Sequence, residues 1–93
     1  MAIVVELPNA LRPYAVGSAR VVIDEPIASV GDALAALGRR VPGVIDRVMT
    51  EQGVVREHVN VFVNEDDSRF LGGLSAAVPE GSVITILAAV SGG

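Results

Sequence analysis

The sequence predicts an α+β fold in which one main helix packs on one face of a mixed four- to five-stranded sheet. Two short β-branched runs follow one another near the start of the chain. A single amphipathic helical pattern comes next, and strand patterns return in the second half. The 93 residues, 51% of them hydrophobic, are enough for one core and one domain. The predicted order of elements is therefore β–β–α–β–(β)–β.

The first two strands are predicted to form an antiparallel hairpin. Residues 3–7 are an apolar run that ends at a proline, and residues 20–23 are a second run that ends at two acidic residues and a proline. Residues 9–18 contain Pro13 and Gly17, which favour turns. We expect this segment to be a long connection between the two strands.

The main helix is predicted to begin after Ser29, which has the properties of an N-cap residue. Asp32 stands three positions later, where a capping box places its acidic or amide partner. Pro42 and Gly43 end the helix, and residues 44–48 suggest a short second helical turn under the sheet. Apolar residues recur at helical spacing along the main helix, at Val30, Leu34, Leu37 and Val41.

The second half of the chain is predicted to supply the remaining strands. Residues 59–63 alternate valine with other residues, which is the clearest period-two pattern in the sequence. Residues 64–67 are predicted to be a polar turn, and residues 68–70 a short strand. Residues 82–87 are almost uniformly apolar, which is typical of a strand buried on both faces, so we expect this strand in the middle of the sheet.

Composition excludes several classes of function. The net charge is −4 and no basic stripe is present, which argues against binding to nucleic acid or to an anionic membrane. The chain has no cysteine and a single histidine, His58, so we predict no metal site and no thiol chemistry. No signal-peptide pattern begins the sequence, and its longest apolar run, residues 86–90, is too short to span a bilayer. We therefore expect a cytoplasmic protein.

The last residues are small and end in two glycines. We expect a β-sheet domain over residues 1–87, followed by a flexible C-terminal Gly-Gly tail over residues 88–93. Six extended residues reach about 20 Å. Taken alone, such an end is typical of a frayed terminus.

The second half of the chain resembles a known family. The segment HVNVFVNEDD at residues 58–67 is followed by Arg69–Phe70, by Gly-Gly-Leu at residues 72–74, and by the strand at residues 82–87 that leads to the Gly-Gly end. This sequence of motifs resembles the ubiquitin-like β-grasp sulfur carriers of the ThiS/MoaD family. The first and third motifs are most similar to its CysO branch. The resemblance implies a β-grasp fold.

The resemblance also implies a protein carrier and not an enzyme. An E1-like adenylating and sulfurtransferase enzyme would use ATP to adenylate the carboxylate of Gly93, and a sulfur donor would convert it to a thiocarboxylate. No bound cofactor is implied. Gly92 would be the required neighbour of Gly93, and the tail would continue back through Ala89, Val90 and Ser91. A synthase of the cysteine synthase type would accept the sulfur through a carrier–cysteine adduct, which a metalloprotease would then cleave.

Two alternatives stay open at this point. The chain is also consistent with a MoaD-type small subunit, which would sit on the large subunit of molybdopterin synthase. A third hypothesis is a β-grasp binding module whose Gly-Gly is incidental. For partner docking, the candidates are the apolar residues Phe62, Leu74 and Leu87 near the base of the tail, although each of them also suits the core.

Overall fold

A computed structural model describes residues 2–88. It consists of one five-stranded sheet, two α-helices and three short 3₁₀ helices. The strands are β1 (Ile3–Glu6), β2 (Arg20–Ile23), β3 (Val59–Val63), β4 (Asp66–Asp67) and β5 (Val83–Ala88), and the α-helices are α1 (Val30–Arg40) and α2 (Pro42–Val48). The first, second and third 3₁₀ helices are Asn9–Ala15, Ser68–Phe70 and Gly73–Ser75.

The sheet is mixed, with the strand order β2-β1-β5-β3-β4. β1 and β2 form the predicted antiparallel hairpin, with Val5 opposite Val21. β5 pairs with β1 in parallel and with β3 in antiparallel orientation, so it lies in the middle of the sheet. The predicted fold class and the predicted position of the last strand are confirmed.

The core lies between one face of the sheet and the two α-helices. Alternate residues of β1, β3 and β5 point to this face because successive side chains of a strand point to opposite sides. α1 contributes the face predicted from its apolar spacing, and α2 confirms the short helical turn predicted over residues 44–48. The largest fully buried side chains are Val5, Ile23, Val30, Leu34, Leu37, Val44, Val48, Val59, Val61, Ile84 and Ile86.

The start of α1 follows the predicted cap with one change. The Oγ atom of Ser29 accepts a hydrogen bond from the N–H of Asp32 at 3.2 Å. The carboxylate of Asp32 accepts from the N–H of Ala28 at 3.1 Å, one residue before the partner that a capping box would supply. Two backbone donors at the helix start are thus satisfied by two side chains.

The connection between β1 and β2 is more ordered than the sequence suggests. Residues 9–18 were expected to be a long connection, and the first 3₁₀ helix occupies most of the segment. It buries Leu11 and Ala15 against the core, and Val16 ends it with a φ of 55°. Pro13 lies inside this helix. The prediction of a connection between the two strands is confirmed, and burial of one side of the segment accounts for its helical order.

The strand predicted at residues 68–70 is wrong, since this segment is the second 3₁₀ helix. Asn64, with a φ of 55°, and Glu65 make a two-residue turn, so pairing with β3 resumes at once with Val63 opposite Asp66. The carboxylate of Asp67 then accepts the N–H of Arg69 at 2.9 Å, which turns the chain into the 3₁₀ helix. The short strand β4 therefore lies within the segment predicted to be a polar turn.

Two further observations concern membrane-spanning helices and the end of the last strand. No helix within residues 2–88 is long and apolar enough to cross a membrane. β5 includes Ala88, one residue beyond the predicted end of the domain at residue 87.

Candidate functional site

The candidate site begins at the end of the central strand. β5 is paired on both sides, and its last residue, Ala88, lies opposite Val59 at the start of β3. The predicted sulfur-carrying residues Gly92 and Gly93 lie outside the described residues. So do the predicted tail residues Ala89, Val90 and Ser91.

Side-chain hydrogen bonds hold the start of β5. The Oδ1 atom of Asn64 accepts the N–H of Val83 at 3.0 Å, and its Nδ2 atom lies 3.4 Å from the Oγ of Ser82. The hydroxyl of Ser82 donates to the carbonyl of Pro79 at 2.6 Å. The strand that leads to the tail is therefore anchored at its first residue.

The face of the sheet opposite the helices, called here the outer face, carries two of the three docking candidates. Phe62 lies opposite Thr85, and Leu87 lies opposite Asn60. Phe62 and Leu87 are therefore diagonal neighbours across the two strands, and such neighbours are about 7–8 Å apart. Leu87 is 47% exposed, whereas the next residue back, Ile86, is fully buried on the helix side. The structure thus brings Phe62 and Leu87 together beside the end of β5.

The exposure of Leu87 corrects one expectation about β5. The strand is central, but it is not buried on both faces, because no helix within residues 2–88 covers the outer face. Its uniform apolar run has two causes. One set of side chains fills the core, and the alternate set forms part of an exposed surface.

Polar contacts border the outer face on both sides. On β2 and β1, the Nε atom of Arg20 lies 3.2 Å from the Oε2 of Glu6. On β3 and β4, the amide of Asn60 donates to the Oδ2 of Asp67 at 3.1 Å. The N–H of Arg69 and then the Asn60 amide hold the pKa of the Asp67 carboxyl below its usual value. An apolar centre with a polar rim is the composition of many protein interfaces.

The third docking candidate, Leu74, lies elsewhere. It belongs to the third 3₁₀ helix, which packs on α1, and its side chain contacts the core. The two backbones approach closely, because a Cβ atom added at Gly31 would lie 3.3 Å from the carbonyl oxygen of Leu74. Leu74 is therefore not part of the outer face.

Leu74 instead lines a cavity of about 210 Å³ beside the start of β3. Val54, Val59 and Arg69 also line this cavity. In the same stretch of chain, Phe70 is 87% exposed. Phe70 was not predicted as a surface residue, because residues 68–70 were assigned to a strand and because an aromatic side chain usually indicates the core.

Comparison with known proteins identifies the family. The sequence model of the ThiS family matches residues 5–93, nearly the whole chain. The chain belongs to the ThiS family. Sulfur carrier protein CysO of Mycobacterium tuberculosis is 35% identical to it over 100% of both chains. The resemblance inferred from the sequence motifs is confirmed.

Solved structures agree with this assignment. A chain of the Amycolatopsis orientalis BexX/CysO complex matches with a TM-score of 0.86 and 35% identity, covering 98% of this chain and 99% of that one. SAMP1 of Haloferax volcanii matches with a TM-score of 0.85 and 32% identity over 100% of both chains. The fold is the ubiquitin-like β-grasp that the resemblance implied. The name of the mycobacterial relative is that of a carrier and not of an enzyme, which agrees with the expectation for this chain.

Proposed function

We propose that this protein is a sulfur carrier whose Gly93 carboxylate is converted to a thiocarboxylate. The observation that carries the proposal is the full-length similarity to sulfur carrier protein CysO, together with a family match that extends through Gly92 and Gly93. The described structure supports it in one respect. A strand paired on both sides leads towards these residues, so the base of the tail has a fixed position.

The proposed chemistry solves the problem that a carboxylate is a poor electrophile. An E1-like enzyme joins the Gly93 carboxylate to the α-phosphorus of ATP, and pyrophosphate leaves. Hydrosulfide, or a donor equivalent to it, then attacks the acyl carbon. A C–S bond forms, the C–O bond to AMP breaks, and AMP leaves with the electron pair. The product is a thiocarboxylate on Gly93, and no oxidant or reductant is consumed.

The sulfur then enters cysteine biosynthesis. In a synthase of the cysteine synthase type, the thiocarboxylate sulfur forms a C–S bond to the β-carbon of a serine whose side-chain oxygen carries a leaving group, and the C–O bond to that group breaks. The acyl group of Gly93 then moves from the sulfur to the amino nitrogen, which gives the carrier–cysteine adduct. A metalloprotease hydrolyses the bond between Gly93 and the new cysteine, which releases cysteine and regenerates the carboxylate. Two glycines suit both steps, because residues without a Cβ pass through a narrow active-site entrance where larger residues would clash.

The outer face is the proposed docking site for the activating enzyme. Phe62 and Leu87 form its apolar part beside the end of β5, and the polar pairs at its borders supply directional contacts. A partner that covers this face comes within reach of the tail, since Ala88 directly follows Leu87.

The test is intact-mass analysis of the protein purified from its own host, before and after treatment with a thiol-alkylating agent. Replacement of one oxygen atom by sulfur raises the mass of the protein by nearly the same amount as oxidation of Met1 or Met49. Alkylation separates the two, because the chain has no cysteine. We expect an alkylated C-terminal fragment that ends at Gly93.

Two variants serve as controls. Deletion of Gly92 and Gly93, or addition of one residue after Gly93, is expected to abolish labelling and to leave the folded domain intact. An unlabelled wild-type protein, after incubation with ATP, the activating enzyme of the host and a sulfur source, would refute the carrier function. Stable co-purification with a large molybdopterin synthase subunit would point to the MoaD-type role instead.

A further inference from the structure

The two edges of the five-stranded sheet are built differently. β4, at one edge, has two residues, Asp66 and Asp67, and both are acidic. A short, charged edge is a common protection against pairing with another chain. β2, at the other edge, has four residues, and its register with β1 runs one for one without a bulge. Its sequence, RVVI, contains neither proline nor glycine. β2 therefore lacks most of the features that keep an edge strand from pairing.

The backbone of β2 presents hydrogen-bonding groups on its free side. The N–H of Leu7 donates to the carbonyl of Ala19 at 2.8 Å, so these residues form a hydrogen-bonded pair next to the strand register. Hydrogen-bonded and non-hydrogen-bonded pairs alternate along an antiparallel ladder. The N–H and C=O groups of Arg20 and Val22 therefore face away from β1, whereas those of the intervening residue face it. Within residues 2–88, no strand lies beyond β2 to receive them.

The side chains along this edge are self-complementary. Arg20 and Val22 lie on the outer face, and Asp24 continues the same alternation one residue past the strand. All three are exposed, so the edge carries a cation, an apolar side chain and an anion in order. Asp24 has no ion-pair partner within residues 2–88, whereas the neighbouring Glu25 pairs with two arginines of α1. The carboxylate of Asp24 is thus available to a partner.

We propose that two copies of this chain associate through antiparallel pairing of their β2 strands, with the twofold axis at Val22. Val22 then faces the partner's Val22, and Arg20 faces the partner's Asp24. The backbone groups that point away from β1 are paired in this arrangement, which gives about six hydrogen bonds. Both charged pairs place opposite charges directly across the strands, which stabilises the pairing.

Charge selects this register from those that the backbone permits. With the axis at residue 21, Arg20 would face the partner's Val22, and the charged pairs would be lost. With the axis at residue 23, Arg20 would face the partner's Pro26, which has no N–H to donate. The interface is isologous, because each strand presents the same edge to the other, and it therefore closes at two copies.

The proposed dimer leaves the base of the tail uncovered. The twofold axis stands perpendicular to the sheet, so both outer faces lie on the same side of a continuous ten-stranded sheet. The two β5 strands are five strand spacings apart, about 24 Å, and run in opposite directions. Leu87 of each copy lies two strands away from the interface. The activating enzyme can therefore dock on either copy as proposed above.

The interface is small, and the association is accordingly weak. About five residues of each chain take part, compared with about 20–30 on each side of a stable interface. We expect a Kd on the order of 0.1–1 mM, at which about half or more of the chains are dimeric at about 1 mM protein. Each copy has a net charge of −4, but salt at physiological concentration screens this repulsion beyond about 8 Å.

The test is sedimentation equilibrium of the unmodified chain at physiological salt, up to about 1 mM. The weight-average mass at this concentration should be at least about 1.5 times that of the monomer. Asp24→Arg places two arginines opposite each other in each charged pair and should raise the Kd at least about fourfold. It does so although it changes the net charge from −4 to −2, which weakens the general repulsion. Asp66→Arg makes the same change of charge at the other edge and should leave the Kd unchanged.

A mixing experiment tests the register itself. Arg20→Asp is the reciprocal variant, and it should also fail to associate with itself. In an equimolar mixture of Arg20→Asp and Asp24→Arg, every charged pair of a mixed dimer again joins opposite charges. The mixture should therefore associate with about the wild-type Kd. Circular dichroism verifies that each variant is folded, and the amide signals of Arg20 and Val22 in ¹⁵N spectra should shift with wild-type concentration more than that of Val21.

The outcomes decide the proposal without reference to sulfur chemistry. A wild-type chain that remains monomeric at about 1 mM would overturn it and leave the edge of β2 to an extended segment of another protein. Wild-type association of Asp24→Arg would overturn it too, as would an equal loss in Asp66→Arg or a mixture that stays monomeric. All measurements use the unmodified carboxylate, so the thiocarboxylate assay tests the proposed function separately.

Discussion

Replacement of Leu87 by alanine tests the outer face at the point where it lies closest to the tail. The side chain is 47% exposed beside Phe62, and the residue after it is the last of β5. Leu87→Ala keeps the backbone and the strand pairing and removes only apolar surface. If the activating enzyme covers this face, its affinity for the carrier must fall.

The exposed fraction sets the size of the effect. Complete burial of a leucine side chain is worth about 1.5–3 kcal/mol. A partner that covers the 47% still exposed gains just under half of this, about 0.7–1.4 kcal/mol. Because about 1.4 kcal/mol corresponds to a tenfold change in affinity, the Kd should rise about 3- to 10-fold. Because the other half of the Leu87 side chain is covered in the folded domain, Leu87→Ala should also lower the free energy of unfolding by about 1 kcal/mol.

The assay is titration of immobilised carrier with the activating enzyme, at a temperature where both variants are fully folded. Val22→Ala provides the control because Val22 is 51% exposed on the same face. Val22 lies opposite Val4 on β1, and Val4 lies opposite Val83 at the start of β5. Val22 is therefore roughly 16 Å from Leu87, which lies near the other end of that strand. A change in Kd of less than about twofold for Leu87→Ala would refute the outer face as the docking site, whereas an equal loss in Val22→Ala would refute only the expectation that the contact is centred on the end of β5.

Three further predictions concern the parts of the fold that position the site. Asn64→Ala removes the side-chain bonds to the start of β5 and places alanine at a φ of 55°, so it should cost about 1–3 kcal/mol of unfolding free energy in urea titrations. Asn64→Gly keeps the backbone conformation and should cost only about 0.5–1.5 kcal/mol; equal losses would argue against backbone strain. The lowered pKa of Asp67, caused first by the N–H of Arg69, means that the folded state favours the carboxylate. The wild type should therefore be more stable than Asp67→Asn, and this difference in the free energy of unfolding should be complete above about pH 5. It should fall as the pH drops through about 3.9 and below. A difference that grows on acidification would contradict this prediction. Ser29→Ala removes the cap of α1 and should lower the free energy of unfolding by about 0.5–2 kcal/mol, a loss that Ser29→Asp should largely restore if capping is its cause.

The elements that the sequence predicts well are those whose local pattern and tertiary role agree. α1 has a side-chain cap, helical spacing and a clear end, and β3 alternates strictly, so each is visible without its neighbours. β4 is different. It is a strand only because Asp66 and Asp67 lie opposite the end of β3 after a two-residue turn. Two acidic residues have no apolar period, so only the three-dimensional pairing reveals the strand.

The candidate site divides in the same way. The motifs of residues 58–93 were sufficient to predict the family, and the roles of Gly92 and Gly93 stay a prediction. The motifs were not sufficient to predict which apolar side chains are exposed. An apolar residue has the same pattern in a core and in an interface, so Leu74 and Leu87 were equivalent in the sequence, and burial alone separates them. Phe70 was missed for the same physical reason.

The central position of β5 gives the base of the tail a fixed place on the domain. A strand at the edge of a sheet separates from its single neighbour at low cost, whereas a central strand opens only when the pairing on both sides is lost. β5 is paired with β1 and β3 and is anchored at its start by Asn64, so Ala88 keeps one position relative to the outer face. If the activating enzyme docks on the outer face as proposed, it meets Leu87 and the base of the tail in a constant geometry. Under the proposed function, the folded domain therefore needs no change of conformation to present Gly93.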